Sequence, residues 1–214
     1  KVYTRELQNF SETKDEGEVW FGEDTEEDVL TWMIDEILGG NKSLSLVDIG
    51  CGNAHTLLTL AQNYDYSGKL VGFDYSPQSV ELANKICIER GLTGIEIFQA
   101  DLLEKTTLSS LRFNVLHDKG TFDAVCLHYK KGHRDIYKQN LHTLFAPEDT
   151  KYFIITSCNF TVDELRGFFE EPVVGDDGCT YSFKYLNKVK YPEIQFGGSS
   201  GTIVSTLAFQ QIKL

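Results

Sequence analysis

The sequence predicts an α/β fold, a mostly parallel sheet with helices on both faces and an antiparallel hairpin at its end. Short apolar runs alternate with helical-period segments five times between residues 44 and 169. Parallel strands need such crossovers, which are usually helices. Helix-start signals stand at several of the junctions, as proline after a capping serine or as a capping box. Toward the end the alternation stops, because "TYSFKYLNKV" and "TIVSTLAFQQIK" read as two strands joined through "FGGSSG" (196–201) with no helix between. Such a hairpin adds antiparallel strands to one side of a parallel sheet.

Residues 1–23 are polar, with an aromatic island at Trp20-Phe21. A helix is expected from Thr25, where "TEED" forms a Thr-x-x-Asp cap and Val29, Leu30, Met33, Ile34 and Ile37 recur at helical spacing. Gly39-Gly40 ends it. "LSLVDI" (44–49) reads as a buried strand, "AHTLLTLAQNY" (54–64) as a helix and "GKLVGFD" (68–74) as a strand. Ser76-Pro77 opens a helix to Arg90, with Gly91 just beyond it. "IEIFQA" (95–100) and "FNVLH" (113–117) are strands, and "AVCLHY" (124–129) reads as strand beyond a polar break at Asp118-Lys119-Gly120-Thr121. "RDIYKQNLHTLF" (134–145) is a helix, "KYFIITSC" (151–158) a strand, and Thr161 to Glu164 a capping box for a short helix through Phe169.

The 214 residues suffice for a substantial core, and 41% hydrophobic with 24% charged residues is ordinary for a globular protein. No apolar run reaches the roughly 18 residues of a membrane span, and "KVYTRELQNF" has no apolar signal core. The opening Lys1, in place of Met, is expected to lie inside a longer sequence. Five scattered cysteines without a C-x-x-C pair give no support to a zinc or thioredoxin-like reading and suit reduced thiols in the cytosol. The five histidines lack metal-ligand spacing, so no metal is expected. A formal charge of −12 argues against nucleic acid, whose backbone needs Lys and Arg, and suits a basic partner or simple solubility.

Ligands of such sheets bind beyond the carboxyl ends of the strands, and there the candidate residues gather. "VDIGCGNAH" follows the first strand, and Gly50 and Gly52 allow a tight bend and close approach of a ligand. A nicotinamide-type G-x-G-x-x-G would need glycine where His55 stands. The second strand ends at Asp74, a carboxylate able to accept ribose hydroxyls, and the third at Asp101, able to accept from a purine amine. Each acid also suits a helix cap. Together Asp48, Asp74 and Asp101 would repel a pyrophosphate but tolerate a nucleoside with a positive centre. S-adenosylmethionine is such a ligand.

The D-I-G-C-G loop with Asp74 and Asp101, in this order and spacing, resembles the class I, seven-stranded methyltransferases of Rossmann-like fold. "GEVWFGE" (17–23), "DYSPQSVELA" (74–83), "DKGTFDA" (118–124), "ITSCNFT" (155–161) and "FGGSSG" are similar to the protein-lysine methyltransferases of translation elongation factor 1-alpha, of the methyltransferase-like protein ten type. Residues 125–150 and 171–190 have no matching segment. The resemblance implies S-adenosylmethionine as cofactor, held by Trp20, Asp48, Gly50, Cys51, Gly52, Asn53, Asp74, Tyr75, Asp101, Leu102 and Asp118. It further implies Asn159 and Phe160 on the substrate side and the elongation factor as protein substrate; a cytoplasmic location follows from the cysteines, and a monomer is the default expectation. Residues 1–23 would be a lid or extension on a methyltransferase domain spanning 24–214.

By the same resemblance Asp118, at the end of the fourth strand, would face the reacting methyl and be the catalytic residue. Lysine has a reference pKa of about 10.4, so about one in a thousand is neutral near pH 7.4. Burial favours the neutral amine, and alignment of nitrogen, methyl and sulfur can supply roughly 7–11 kcal/mol. Asp118 is expected to orient the amine and stabilise the charge growing on nitrogen, rather than act as general base. Its alternative role is to cap the turn and pair with Lys119. Trp20, Phe21, Tyr75 and Phe160 are candidates for an aromatic wall around the sulfonium, with Trp20 carried on the lid. A small-molecule methyltransferase, a nicotinamide-dependent oxidoreductase and a non-catalytic binding module are the competing readings.

Overall fold

The computed structural model describes residues 2–104, 108–127, 132–147, 150–192, 194–196 and 199–214. His128 and Tyr129 of the expected strand, and Gly197-Gly198 of the glycine-rich joint, lie outside the described residues. In chain order the elements are α1 (Val2–Thr13), α2 (Glu23–Trp32, continued by a π-helical turn Met33–Ile37), β1 (Leu46–Ile49), α3 (His55–Asn63), β2 (Leu70–Asp74), α4 (Pro77–Glu89) and β3 (Ile95–Gln99). Then follow β4 (Val115–Lys119), α5 (Thr121–Leu127), α6 (His133–Thr143), β5 (Tyr152–Ser157), α7 (Val162–Phe169), β6 (Val173–Val174), β7 (Thr180–Lys188), β8 (Ile194–Phe196), β9 (Ser199–Gly201) and β10 (Ser205–Lys213). No helix among the described residues is long and apolar enough to cross a membrane.

The main sheet runs β3-β2-β1-β4-β5-β10-β7-β6. β1 to β5 are mutually parallel, and β10 lies antiparallel between β5 and β7. This is the expected seven-stranded arrangement with a two-residue strand, β6, added beyond β7. β8 and β9 form a separate small ribbon within the joint between the hairpin strands. The chain reverses direction through the sheet between β1 and β4, so the carboxyl ends of β1, β2 and β4 open onto one crevice.

Period-two alternation sends neighbouring strand residues to opposite faces. Val47, Ile49, Leu116, Phe153, Ile155, Leu207 and Phe209 pack with Phe122, Tyr137, Leu141 and Phe169 of α5, α6 and α7. Leu46, Leu70, Val115, Ile154 and Ala208 pack with Leu30, Met33, Leu57 and Leu60 of α2 and α3. The first face is built largely of rings: Phe153 lies 5.1 Å from Phe169 and 5.3 Å from Phe183 between centroids. Such pairs add about 0.5–1.5 kcal/mol each beyond the area they bury.

Three boundaries depart from the sequence reading. α2 starts at Glu23, with Gly22 at φ +85° as N-cap and no side-chain cap from Thr25. Glu23, Asp24 and Glu26 in its first turn already complement the helix dipole. "AVCLHY" is not a strand, since its described part belongs to α5. Its apolar content suits either element, and the Asp118 carboxylate decides by accepting the first free amides of the helix, from Thr121 at 2.9 Å and Phe122 at 3.0 Å. Finally, the polar segment 1–23 contains the helix α1. Phe10 is buried with Leu58, Leu82, Ile86 and Cys87, and Tyr3 and Leu7 pack at the margin, which seats α1 against α3 and α4.

Phe10→Ala is therefore expected to detach α1, with a loss of about 3–5 kcal/mol at most. Hydrogen exchange would show it as fast exchange of the α1 amides with protection of β1 and β4 retained.

Candidate active site

The loop after β1 is tied to the end of β2 before any ligand is considered. Asp74 accepts the Gly52 amide at 3.0 Å and the Ser76 amide at 2.8 Å. Ser79, which caps nothing but is fully buried, donates to the Gly52 carbonyl at 2.7 Å. Gly50 has φ +67°, and a Cβ there would stand 2.1 Å from the Thr121 hydroxyl. That hydroxyl donates to the Ile49 carbonyl at 2.7 Å, so β1 and α5 close on each other only over glycine.

Two connected compartments open along this edge. The first, about 290 Å³, is lined by Tyr3, Trp20, Asp48, Gly50, Cys51, Gly52, Asn53, His55, Asp74, Tyr75 and Lys119 among others. The second, about 210 Å³, is mostly apolar, with Ile49, Phe73, Ala100, Leu102, Leu103 and Val125 around Asp101 and His133. Gly50, Tyr75, Thr121 and Ala124 line both. The fold thus brings together ten of the eleven expected cofactor residues. Trp20 and Tyr75 stand at the rim, 52% and 68% exposed, while Asp48, Cys51, Asn53, Asp74 and Leu102 are buried.

The compartments fit S-adenosylmethionine in shape and charge. The apolar slot suits a purine, with Asp101 at its edge and a buried His133 Nδ1 that has no hydrogen-bond partner among the described residues. Asp74 lines the larger compartment, next in sequence to Tyr75, which borders both. Burial pushes its carboxyl up, against the hydrogen bonds from Ser76, Gly52 and Ser79. Each carboxylate oxygen retains acceptor capacity for a ribose hydroxyl. A pyrophosphate would meet Asp48 and Asp74 instead of free amides, which disfavours a dinucleotide.

The eleventh residue, Asp118, does not reach the cleft. Its side chain shares the parity of Leu116 and turns to the α5–α6 face, where it is 0% exposed. It accepts from the Thr121 and Phe122 amides and from the Tyr137 hydroxyl. The expectation that Asp118 faces the reacting methyl is corrected on this geometry. The alternative is half met, since Asp118 caps the turn but pairs with Tyr137, not Lys119. The rest of "DKGTFDA" is equally structural. Gly120, at φ +84°, lets the Phe21 ring lie 3.1 Å from where a Cβ would be. Phe122 joins the ring cluster, and Asp123 accepts from Ser157 Oγ at 2.5 Å and the Cys158 amide at 2.8 Å, fixing the end of β5.

Asn159 and Phe160 follow β5 on the same sheet edge but line neither compartment. Phe160 packs on Phe122, centroids 5.4 Å apart, and so belongs to the core margin and not to an aromatic wall. Asn159 lines a separate shallow depression with Thr161, Thr202 and Ile203.

Two features escaped the sequence reading. Tyr3 on α1 reaches over the loop, its hydroxyl 2.6 Å from the position a Cβ of Gly52 would take. Burial and the nearby Asp74 charge raise its pKa. Second, Glu26 lies buried beneath the cleft, with Lys119 Nζ at 2.5 Å, His55 Nδ1 at 2.6 Å and Thr56 Oγ1 at 2.9 Å. Burial pushes the Glu26 carboxyl up, but His55 and Lys119 outweigh it and hold the group at about 2. The sequence signal was there, since Glu26 falls on the face of α2 one turn before Leu30, yet a first-turn acid reads as a solvated dipole partner.

Burial pushes Asp118 up to about 7, against the opposing hydrogen bond from Tyr137. An unfolded aspartate titrates near 3.9. Between these values the folded chain holds the extra proton, so this group lowers stability as pH rises from about 4 to about 7 and contributes no further change above. The slope is at most about 1.4 kcal/mol per pH unit. Asp118→Asn is expected to flatten this decline relative to the parent protein, measured by urea unfolding from about pH 5 to about pH 7.

Residues 41–190 match the family described as methyltransferase domain. The EEF1A lysine methyltransferase 2 of Homo sapiens is 36% identical over 213 residues, 99% of this chain and 83% of that protein. The protein-lysine N-methyltransferase efm4 of Schizosaccharomyces pombe is 33% identical over 224 residues, 98% of this chain and 90% of that protein. Among solved structures, the PH0226 protein of Pyrococcus horikoshii superposes with a TM-score of 0.63 over 98% of both chains, at 12% identity. Magnesium protoporphyrin IX methyltransferase of Synechocystis reaches 0.60 at 18% identity, over 98% of this chain and 97% of that one. These two show the fold, and the near full-length relatives show the family: the chain belongs to the EEF1A lysine methyltransferases, class I enzymes whose methyl donor is S-adenosylmethionine.

Proposed function

We propose that this protein transfers the methyl group of S-adenosylmethionine to a lysine ε-amine of translation elongation factor 1-alpha. The observation that carries the reading is a carboxylate-lined, pyrophosphate-excluding cleft in a chain that matches, almost end to end, relatives named for that substrate. The five cysteines are free, which suits a reducing cytoplasm, and we take the enzyme to act there as a monomer.

The residues divide the work by compartment. Asp74 accepts the ribose hydroxyls, Asp101 and Leu102 border the purine, and the 50–53 loop with Asp48 borders the amino-acid part. S-adenosylmethionine supplies an electrophilic methyl on a cationic sulfur. A neutral lysine amine would take that methyl as the carbon–sulfur bond breaks, S-adenosylhomocysteine would leave, and the new ammonium would lose its proton to solvent. Residues 1–23 act as a lid: Tyr3 covers the loop, Trp20 stands at the entrance, and Phe21 is seated on Gly120. Asp118 is a positioning residue, holding the turn that carries Lys119 and Gly120 into the cleft wall.

Incubation with labelled S-adenosylmethionine and purified elongation factor is expected to label one lysine-containing peptide, read by mass spectrometry. Label confined to a small metabolite would instead favour a small-molecule methyltransferase. Asp74→Ala is expected to weaken cofactor binding at least about a hundredfold in calorimetry, since hydrogen bonds to a charged acceptor contribute about 1.5–3 kcal/mol each. Trp20→Ala should weaken it by a smaller factor, and unchanged affinity would remove the lid assignment. Because attack needs the neutral amine, kcat/KM for the protein substrate should rise about tenfold per pH unit from about pH 7 to about pH 9.

A further inference from the structure

The cleft that receives a sulfonium, and then a lysine, has a lysine in its own wall. Lys119 is the only lysine or arginine among the described residues lining the larger compartment, which is about 290 Å³ in volume. A bare ammonium in so small a space would stand close to any bound cation, and it would oppose both the sulfonium and the positive charge that grows on the attacking nitrogen. The structure answers this charge from below. Lys119 Nζ sits 2.5 Å from Glu26 Oε2, and the two side chains are 13% and 2% exposed. The ammonium also reaches the Trp20 carbonyl, at 3.4 Å, so it links the β4 end to the rim of the cleft. Glu26 in turn is fixed by three further contacts: His55 Nδ1 at 2.6 Å, Thr56 Oγ1 at 2.9 Å and Thr59 Oγ1 at 3.4 Å. The carboxylate is therefore held in place by contacts within the protein alone.

Resting on the S-adenosylmethionine reading of the cleft, we infer that Glu26 is a charge-neutralising positioning residue. It cancels the Lys119 ammonium, so that the lysine can tie Trp20 to the cleft wall without repelling the sulfonium. A lysine with this job cannot be replaced by a neutral residue without losing the tie, and it cannot be left unpaired without losing the cofactor. Of the two carboxylates that line the compartment, Asp48 is engaged by His117 Nδ1 at 2.7 Å, and Asp74 then remains available to the ligand instead of being spent on Lys119.

S-adenosylmethionine and S-adenosylhomocysteine provide the test, because they share the adenosyl and amino-acid parts and differ by the methyl and its positive charge. Calorimetry on the full chain would compare the two ligands for the parent protein, Glu26→Gln, Lys119→Gln and the double variant. Glu26→Gln keeps the side-chain volume and leaves Lys119 uncompensated, so its affinity for S-adenosylmethionine should fall at least about fivefold more than its affinity for S-adenosylhomocysteine. Lys119→Gln should move the ratio the opposite way, and the double variant should return it to near the parent value. Equal changes for both ligands in all three variants would overturn the inference and leave Glu26 a purely structural group. If Glu26→Gln does not fold, Lys119→Gln and the double variant decide, since neither carries an unpaired cation in the wall. A parent protein that binds neither ligand would refute the cofactor reading itself, which is a separate outcome.

Discussion

Two ionisable side chains at adjacent positions of a central strand constrain everything around the cleft. Alternation along β4 sends Asp118 to one face of the sheet, where it is fully buried, and Lys119 to the other, where it is 13% exposed in the cleft wall. Each must be satisfied inside the protein, because an unpaired buried charge costs several kcal/mol. Asp118 is answered by the amide ends of α5 and by Tyr137 on α6. Lys119 is answered by Glu26 on α2. One dipeptide therefore fixes where three helices meet the sheet, and Gly120 just beyond it turns the chain into the cleft wall.

The cofactor loop obeys a second version of the same logic. Asp74 closes the β1–α3 loop by accepting the Gly52 amide and opens α4 by accepting the Ser76 amide. A carboxylate that already holds two amides is pre-oriented, so a ligand hydroxyl meets an acceptor whose direction is set. Thr121 joins this arrangement to β4 by bonding the Ile49 carbonyl across Gly50. The loop and the Asp118 turn are thus one assembly, although 66 positions separate Gly52 from Asp118 in sequence (118 − 52).

Much of this was legible in the residues. The strand–helix alternation, the Ser76-Pro77 start, the Thr161 capping box and the acids closing β2 and β3 are local signals, and local chemistry decides them. What failed was non-local. α1 was hidden because its amphipathic face is short and needs α3 and α4 to bury Phe10. "AVCLHY" was read as a strand because apolar, β-branched content does not distinguish a buried helix from a strand. Asp118 was misassigned although period two, counted from Leu116, already gave its face. The resemblance supplied the motif, and the pleat would have corrected its direction.

The N-terminal segment shows why the cleft is more than a loop with acids. Asn53 donates to the Glu16 carbonyl at 3.0 Å, and Arg90 grips the Glu16 carboxylate at 2.8 and 2.5 Å. Glu16 lies between α1 and Trp20, so these contacts hold the segment to the cofactor loop and to the end of α4. Any movement of Trp20 away from the entrance must strain or break them, together with the Phe21 seat on Gly120 and the Lys119 bond to the Trp20 carbonyl. The bonds are individually modest, about 0.5–3 kcal/mol each, and several lie at half-exposed sites where solvent competes. On the proposed lid role, a segment held by a few such bonds would open to admit cofactor and return to one closed geometry. The buried Glu26–Lys119 pair, anchored in α2 and β4, sets where that closed geometry lies.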